Sequence, residues 1–112
     1  MALKHKDNEN GNVLHYAVES GDSALARYIL KQSRDSDCKE LINLHKSDGD
    51  TPLHIASEKG FTDIVKILCR YGAKIEAFNR NHETAIYVAA KNSHEKVVAF
   101  LANRQGLTQR RF

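Results

Sequence analysis

The chain has 112 residues and a formal charge of +3, from 17 Lys and Arg against 14 Asp and Glu. That length holds one compact unit with a core that is marginal unless neighbouring segments share it, and so weak a charge does not by itself imply nucleic acid. Residues 1–6 are charged where a secretory signal would be apolar, and no apolar run approaches the roughly 20 residues that cross a membrane.

In chain order, the first legible segment is Asn12-Val13-Leu14-His15-Tyr16-Ala17. Asn12 can cap a short helix, Gly21 can end it, and Leu25, Tyr28, Ile29 and Leu30 lie at helical spacing in a second helix. A polar stretch follows at residues 33–40. It is expected to be a lengthened surface loop or an extra turn of helix, with Cys38 exposed on it.

Ile42 restores the register, and Asp48-Gly49-Asp50 reads as a tight turn. Thr51 then caps a helix with Pro52 at its first position, and Gly60 terminates it. Leu53, Ile55 and Ala56 face inward, and a second helix starts near Thr62 with Ile64, Val65, Ile67 and Leu68 on its apolar stripe. Tyr71-Gly72-Ala73 closes that helix, and Ile75 anchors the return.

Thr51-Pro52-Leu53-His54-Ile55-Ala56 recurs as Thr84-Ala85-Ile86-Tyr87-Val88-Ala89, 33 positions on (84 − 51). The earlier step, Asn12 to Thr51, is 39, so the polar stretch is an insertion of six (39 − 33). In the third unit Tyr87 replaces the histidine and Ser93 the glycine, while Val97, Val98, Phe100 and Leu101 supply the second stripe. A fixed period of this size signals stacked helical repeats, each too small to bury its own apolar face. The fold class is therefore all-α, a helical repeat solenoid.

Gly49-x-Thr51-Pro52-Leu53-His54-x-Ala56, with Gly60, Ile64-Val65-x-Ile67-Leu68 and Gly72-Ala73-x-Ile75, resembles the ankyrin repeat. The resemblance covers about residues 7–103. It divides the chain into an extension at 1–6, repeats at about 7–38, 46–78 and 79–103, an insertion near 33–40, and a basic tail at 104–112. It implies a helix–turn–helix in each repeat and turn loops projecting from the stack. It also implies that His15 and His54 are hydrogen-bonding struts between loops. The third repeat resembles a closing repeat whose Val98 and Phe100 stay apolar. With Met1 at the start and no half-repeat at either end, the chain is expected to be a complete but marginal protein.

Catalytic and metal chemistry have little to stand on. His5, His45, His82 and His94 are scattered, with no i, i+4 pair and no Cys pair nearby, so no metal or cofactor is expected. No G-x-S-x-G, phosphate-binding glycine loop or Cys/His signature occurs, and the chain is expected not to be an enzyme and to take no small-molecule substrate. Cys38 and Cys69 lack C-x-x-C spacing, which favours reduced thiols and an intracellular protein, cytoplasmic or nuclear. Cys69, on a helix stripe, is expected to pack as a small hydrophobe. Arg104, Arg110 and Arg111 are the feature that could serve nucleic acid or an acidic surface, and they are too sparse to make that the first reading.

What the resemblance implies for function is recognition of another protein through turn tips and first-helix faces. The positions outside the framework are Glu9 and Glu19 in the first repeat, and His45, Ser47, Asp48, Asp50, Glu58 and Lys59 in the second. In the third they are Phe78, Arg80, Asn81, Glu83 and Lys91. Together they form a column that runs from acidic to basic and aromatic. Phe78 is the expected anchor, because aromatic residues dominate interface energetics, unless it packs on Ile75 or Tyr87 to stiffen its turn. The expected protein is a monomeric adaptor or competitive inhibitor. A scaffold that positions a separate catalytic domain is the alternative.

Overall fold

A computed structural model of the protein describes residues 6–7, 11–33, 35–45 and 49–104. Seven helices make up nearly all of it. They are α1 (Val13–Glu19), α2 (Ser23–Gln32), α3 (Asp35–Ile42), α4 (Pro52–Lys59), α5 (Thr62–Arg70), α6 (Ala85–Lys91) and α7 (Glu95–Arg104). Two strands of two residues, β1 (Lys6–Asp7) and β2 (Gly11–Asn12), pair antiparallel ahead of α1, with Lys6 opposite Asn12.

Local chemistry sets the helix ends. Thr51 accepts a hydrogen bond from the His54 N–H and the His54 ring answers the Thr51 N–H, a reciprocal cap ahead of Pro52. Thr84 repeats the cap by accepting from Tyr87 N–H at 3.4 Å. Asp22 caps α2 through Leu25 N–H at 3.0 Å. Gly60 ends α4 in the left-handed region at φ 75°.

The helices pair within each repeat (α1 on α2, α4 on α5, α6 on α7), and the pairs stack through α1 on α4, α4 on α6, α2 on α5 and α5 on α7. This is the helical solenoid expected from the period, with the helix–turn–helix in each repeat that the ankyrin resemblance implied. One apolar cluster runs the length of the stack, from Leu14, Leu30 and Ile42 through Leu53, Ile64 and Leu68 to Val97 and Leu101. No repeat owns a separate core, so each is stabilised by its neighbours.

The insertion departs from expectation. It forms a helix of eight residues, α3, well beyond one added turn. Cys38, expected on the surface, is buried at 6% exposure, beside Leu41 at 2% and Ile42 at 0%. The spacing 38, 41, 42 puts all three on one face of α3, and that face closes on the core. The Cys38 thiol lies 3.8 Å from the Tyr71 carbonyl oxygen, and Asn43 just past α3 accepts from the Lys74 N–H at 2.9 Å. The insertion thus ties the first repeat to the loop after α5.

Candidate functional site

Two devices couple the repeats: one fixes the turn tips, the other the bend between the first and second helix of a repeat. In the first, a buried imidazole reaches the next turn. His15 Nε2–H donates to the Asp50 carbonyl at 3.2 Å, and His54 Nε2–H donates to the Glu83 carbonyl at 2.8 Å. His54 Nδ1 accepts from the Thr51 N–H at 3.3 Å, which places the ring proton on Nε2, where the strut requires it.

The second device is a ring over a glycine. A Cβ at Gly21 would lie 3.1 Å from the Phe61 ring, and one at Gly60 would lie 2.5 Å from Nδ1 of His94. Phe61 and His94 are 33 apart (94 − 61) and do the same work in successive repeats. His94 also donates from Nε2 to the Glu58 carbonyl at 2.8 Å.

The third turn is organised by Asn79. Its Oδ1 accepts from the backbone N–H of Asn81 and of Glu83, both at 2.9 Å. Its Nδ2 donates to Glu83 Oε1 at 3.0 Å and to Asp50 Oδ1 at 3.4 Å. Glu83 Oε2 takes the Lys91 ammonium at 2.6 Å. Donation from Asn79 first, and then from Lys91, holds the Glu83 carboxyl below its ordinary value, while Glu83 raises Lys91.

A cleft of about 300 Å³ opens beside this network, between α4, α6 and the turn. Asp50, Glu58, Asn81, Glu83 and Lys91 line it, with His54, Asn79, Val88 and Asn92. Five positions expected for binding therefore meet in one place. The other described positions do not line it. His45 is exposed and donates from Nε2 to the Phe78 carbonyl at 3.2 Å. Phe78 is 58% exposed at the turn tip, edge-on to His82 with ring centroids 6.4 Å apart. Glu19, Lys59 and Arg80 are exposed and do not line the cleft. Glu9, Ser47 and Asp48 lie outside the described residues.

Asn79 is the site residue that the repeat pattern does not disclose. Lys46 stands 33 before it, so the period gives no signal (79 − 33). An Asn two residues before Asn81 and four before Glu83, at a turn, is the Asx pattern that could have found it. Asp50 is less free than a binding column would ask, since its carboxylate already accepts from Asn79.

The cleft offers carboxylate and amide oxygens beside one ammonium, which suits a peptide's N–H groups and basic side chains. Among the described residues no group of three His, Cys, Asp or Glu could hold a metal ion. Burial pushes the Cys69 thiol up, with Arg104 opposing, so this sulfur is a packed hydrophobe and a poor nucleophile.

The model of the ankyrin repeats, in three copies, matches residues 14–110. The chain belongs to the ankyrin-repeat family. It is 33% identical over 94 residues to the rat nuclear factor NF-kappa-B p105 subunit, covering 83% of this chain and 10% of that protein. It is 29% identical over 103 residues to rat diacylglycerol kinase zeta, covering 92% of this chain and 11% of that one. It is 28% identical over 92 residues to the Notch-regulated ankyrin repeat-containing protein of Xenopus tropicalis, covering 82% of this chain and 79% of that relative. The chain thus spans only about a tenth of the first two relatives. Ankyrin repeats are generally protein–protein interaction modules, and the family is typically non-catalytic. Among the described residues no helix is long and apolar enough to cross a membrane.

Proposed function

We propose that this ankyrin-repeat chain recognises another protein through the α4–α6 cleft and the turn tips beside it, as an adaptor or a competitive inhibitor. Inhibition here means covering a partner's surface, with no bond made or broken. The observation that carries the reading is the division of labour at the third turn. His54, Thr51 and Asn79 fix its shape, which leaves Glu58 and the tip aromatic Phe78 presented to solvent on a rigid frame, beside the Lys91–Glu83 pair. Pre-ordered side chains lose little entropy on binding.

Three repeats give a face of roughly 600–800 Å² per partner, the size of a standard specific complex. The proposed partner contacts remain Glu9, Glu19, His45, Ser47, Asp48, Asp50, Glu58, Lys59, Phe78, Arg80, Asn81, Glu83 and Lys91. The protein is read as a monomer of a reducing compartment, where the free thiols of Cys38 and Cys69 persist.

Affinity capture from cell lysate with mass spectrometry tests the reading, with wild type compared against Glu58→Lys/Phe78→Ala. Glu58 is chosen over Asp50 because its carboxylate makes no hydrogen bond to the turn and touches the network only through its charge near Lys91. A protein held by wild type and lost by the double variant, at equal helicity, supports the cleft and tip as the site. Equal retention by both baits removes it.

The second reading, a scaffold that positions a catalytic domain, draws on the match to diacylglycerol kinase zeta, of which this chain covers a small part. It expects the captured protein, or a longer form of this chain, to carry the activity. Capture and competition by the isolated chain alone would count against it.

A further inference from the structure

The outer layer of the stack is made by α2, α5 and α7, with α2 packed on α5 and α5 on α7. These helices carry six basic residues, Arg27, Lys31, Lys66, Arg70, Lys96 and Arg104, against two acids, Asp63 and Glu95. The helix macrodipole accounts for part of this. Lys31, Arg70 and Arg104 sit in last turns, and Asp63 and Glu95 in first turns, where each sign is stabilised. It does not account for Arg27 and Lys66. They stand mid-helix at the same repeat position, 39 apart (66 − 27), which is the spacing of the first two repeats.

Between α2 and α5 lies a cleft of about 230 Å³ lined by Arg27, Lys66 and Arg70, with Asp63, Ile67 and Tyr71. Ile67 is buried and Tyr71 half-buried, so the cleft has an apolar floor under an exposed cationic rim. Among the described residues Arg27 and Arg70 make no ion pair. The Lys66 ammonium lies 5.9 Å from the centre of the Phe100 ring, and nothing in that contact neutralises its charge.

We propose that this outer face is a second docking surface, and that its occupant is an acidic peptide segment of a partner protein. Its carboxylates would meet Arg27, Lys66 and Arg70, and an apolar side chain between them would cover Ile67 and Tyr71. A guanidinium takes a carboxylate through two parallel N–H donors, and an apolar floor raises the worth of each contact by excluding water.

A nucleic-acid backbone fits this face less well. Its phosphates recur without a gap, whereas the cationic columns stop at the third repeat. Arg27 and Lys66 are followed by Ala99, and Lys31 and Arg70 by Asn103. Asp63 also stands in the cleft that a phosphate chain would have to cross. A short peptide needs only the footprint of two repeats and can place a neutral or basic residue at Asp63. The surface is on the opposite layer from the α4–α6 cleft and stands or falls independently of the function proposed for it.

The test is fluorescence anisotropy with a labelled Glu-rich peptide carrying a central Leu, set beside a labelled oligothymidylate. Wild type should bind the peptide, and the binding should weaken as salt rises. Arg27→Glu/Lys66→Glu should weaken it at least about tenfold, Arg27→Gln/Lys66→Gln by an intermediate factor, and Phe78→Ala not at all. Circular dichroism and thermal melts establish that the variants compared are folded. No binding by wild type overturns the proposal. So does equal binding by the folded charge variants, or an oligonucleotide held more tightly than the peptide.

Discussion

Gly60 holds φ at 75°, and a Cβ placed there would lie 2.5 Å from the His94 ring. Gly72 holds φ at 99°, and a Cβ there meets nothing within 4 Å. The two glycines separate backbone strain from packing. Gly72→Ala should cost about 1–2 kcal/mol from the left-handed backbone alone. Gly60→Ala should cost distinctly more, because the ring must move and its bond to the Glu58 carbonyl moves with it. Urea denaturation of both variants checks this, and equal losses would mean that the His94 contact contributes nothing. Ser93, 33 after Gly60, adopts φ 63° with a side chain present, so the third repeat bears the strain its predecessor avoids.

Glu83 gives the residue scale a pH dependence. Its folded carboxyl is held below its ordinary value of 4.5, mainly by Asn79 and then by Lys91. A depressed carboxylate contributes stability that is fully present above its unfolded value and is lost as pH falls through the folded one. The melting temperature of wild type should therefore drop on acidification below about pH 4.5, and Glu83→Gln should flatten part of that drop while lowering stability near neutrality. Parallel acid profiles would dissociate Glu83 from the turn's stability. Lys91 carries the complementary sign. Raised by Glu83, it supports the fold below its ordinary value of 10.5 and ceases to as pH rises through its folded value.

At the scale of elements, α3 is the test of what the insertion is for. A surface loop tolerates truncation of its side chains, whereas α3 buries Cys38, Leu41 and Ile42 in the shared core. Leu41→Ala should cost roughly 2–5 kcal/mol, as a cavity in a packed core does. In a domain only several kcal/mol stable that is enough to populate the unfolded state at ambient temperature. A loss well under 1 kcal/mol, read by thermal melting, would place α3 outside the cooperative unit. The apolar spacing 38, 41, 42 is present in the sequence. It is hidden by Asp35, Asp37, Lys39 and Glu40, and by the insertion being shorter than the helix it forms.

Over the whole molecule, charge divides by layer. The first helices and turns present mixed charge around the α4–α6 cleft, and the second helices present mainly cations. The stack keeps the layers apart because every repeat turns the same helix outward. A ligand on either layer would also stabilise the fold by mass action, which matters when three repeats share one small core.

The sequence by itself determined the solenoid. The period of 33, the Thr51 and Thr84 caps, Pro52 and the terminating Gly60 are local signals, each read from a few adjacent residues. The shared repeat position of His15 and His54 marks them as structural, and the family resemblance is what implied that they are struts. Tertiary structure alone decided the burial of Cys38, the reach of Asn79 to Asp50, the rings of Phe61 and His94 over Gly21 and Gly60, and the meeting of Asp50, Glu58 and Glu83 in one cleft. Each of these joins residues from different repeats. Periodicity reports what a repeat does within itself, and the contacts between repeats depend on how successive side chains fill the space between stacked helices.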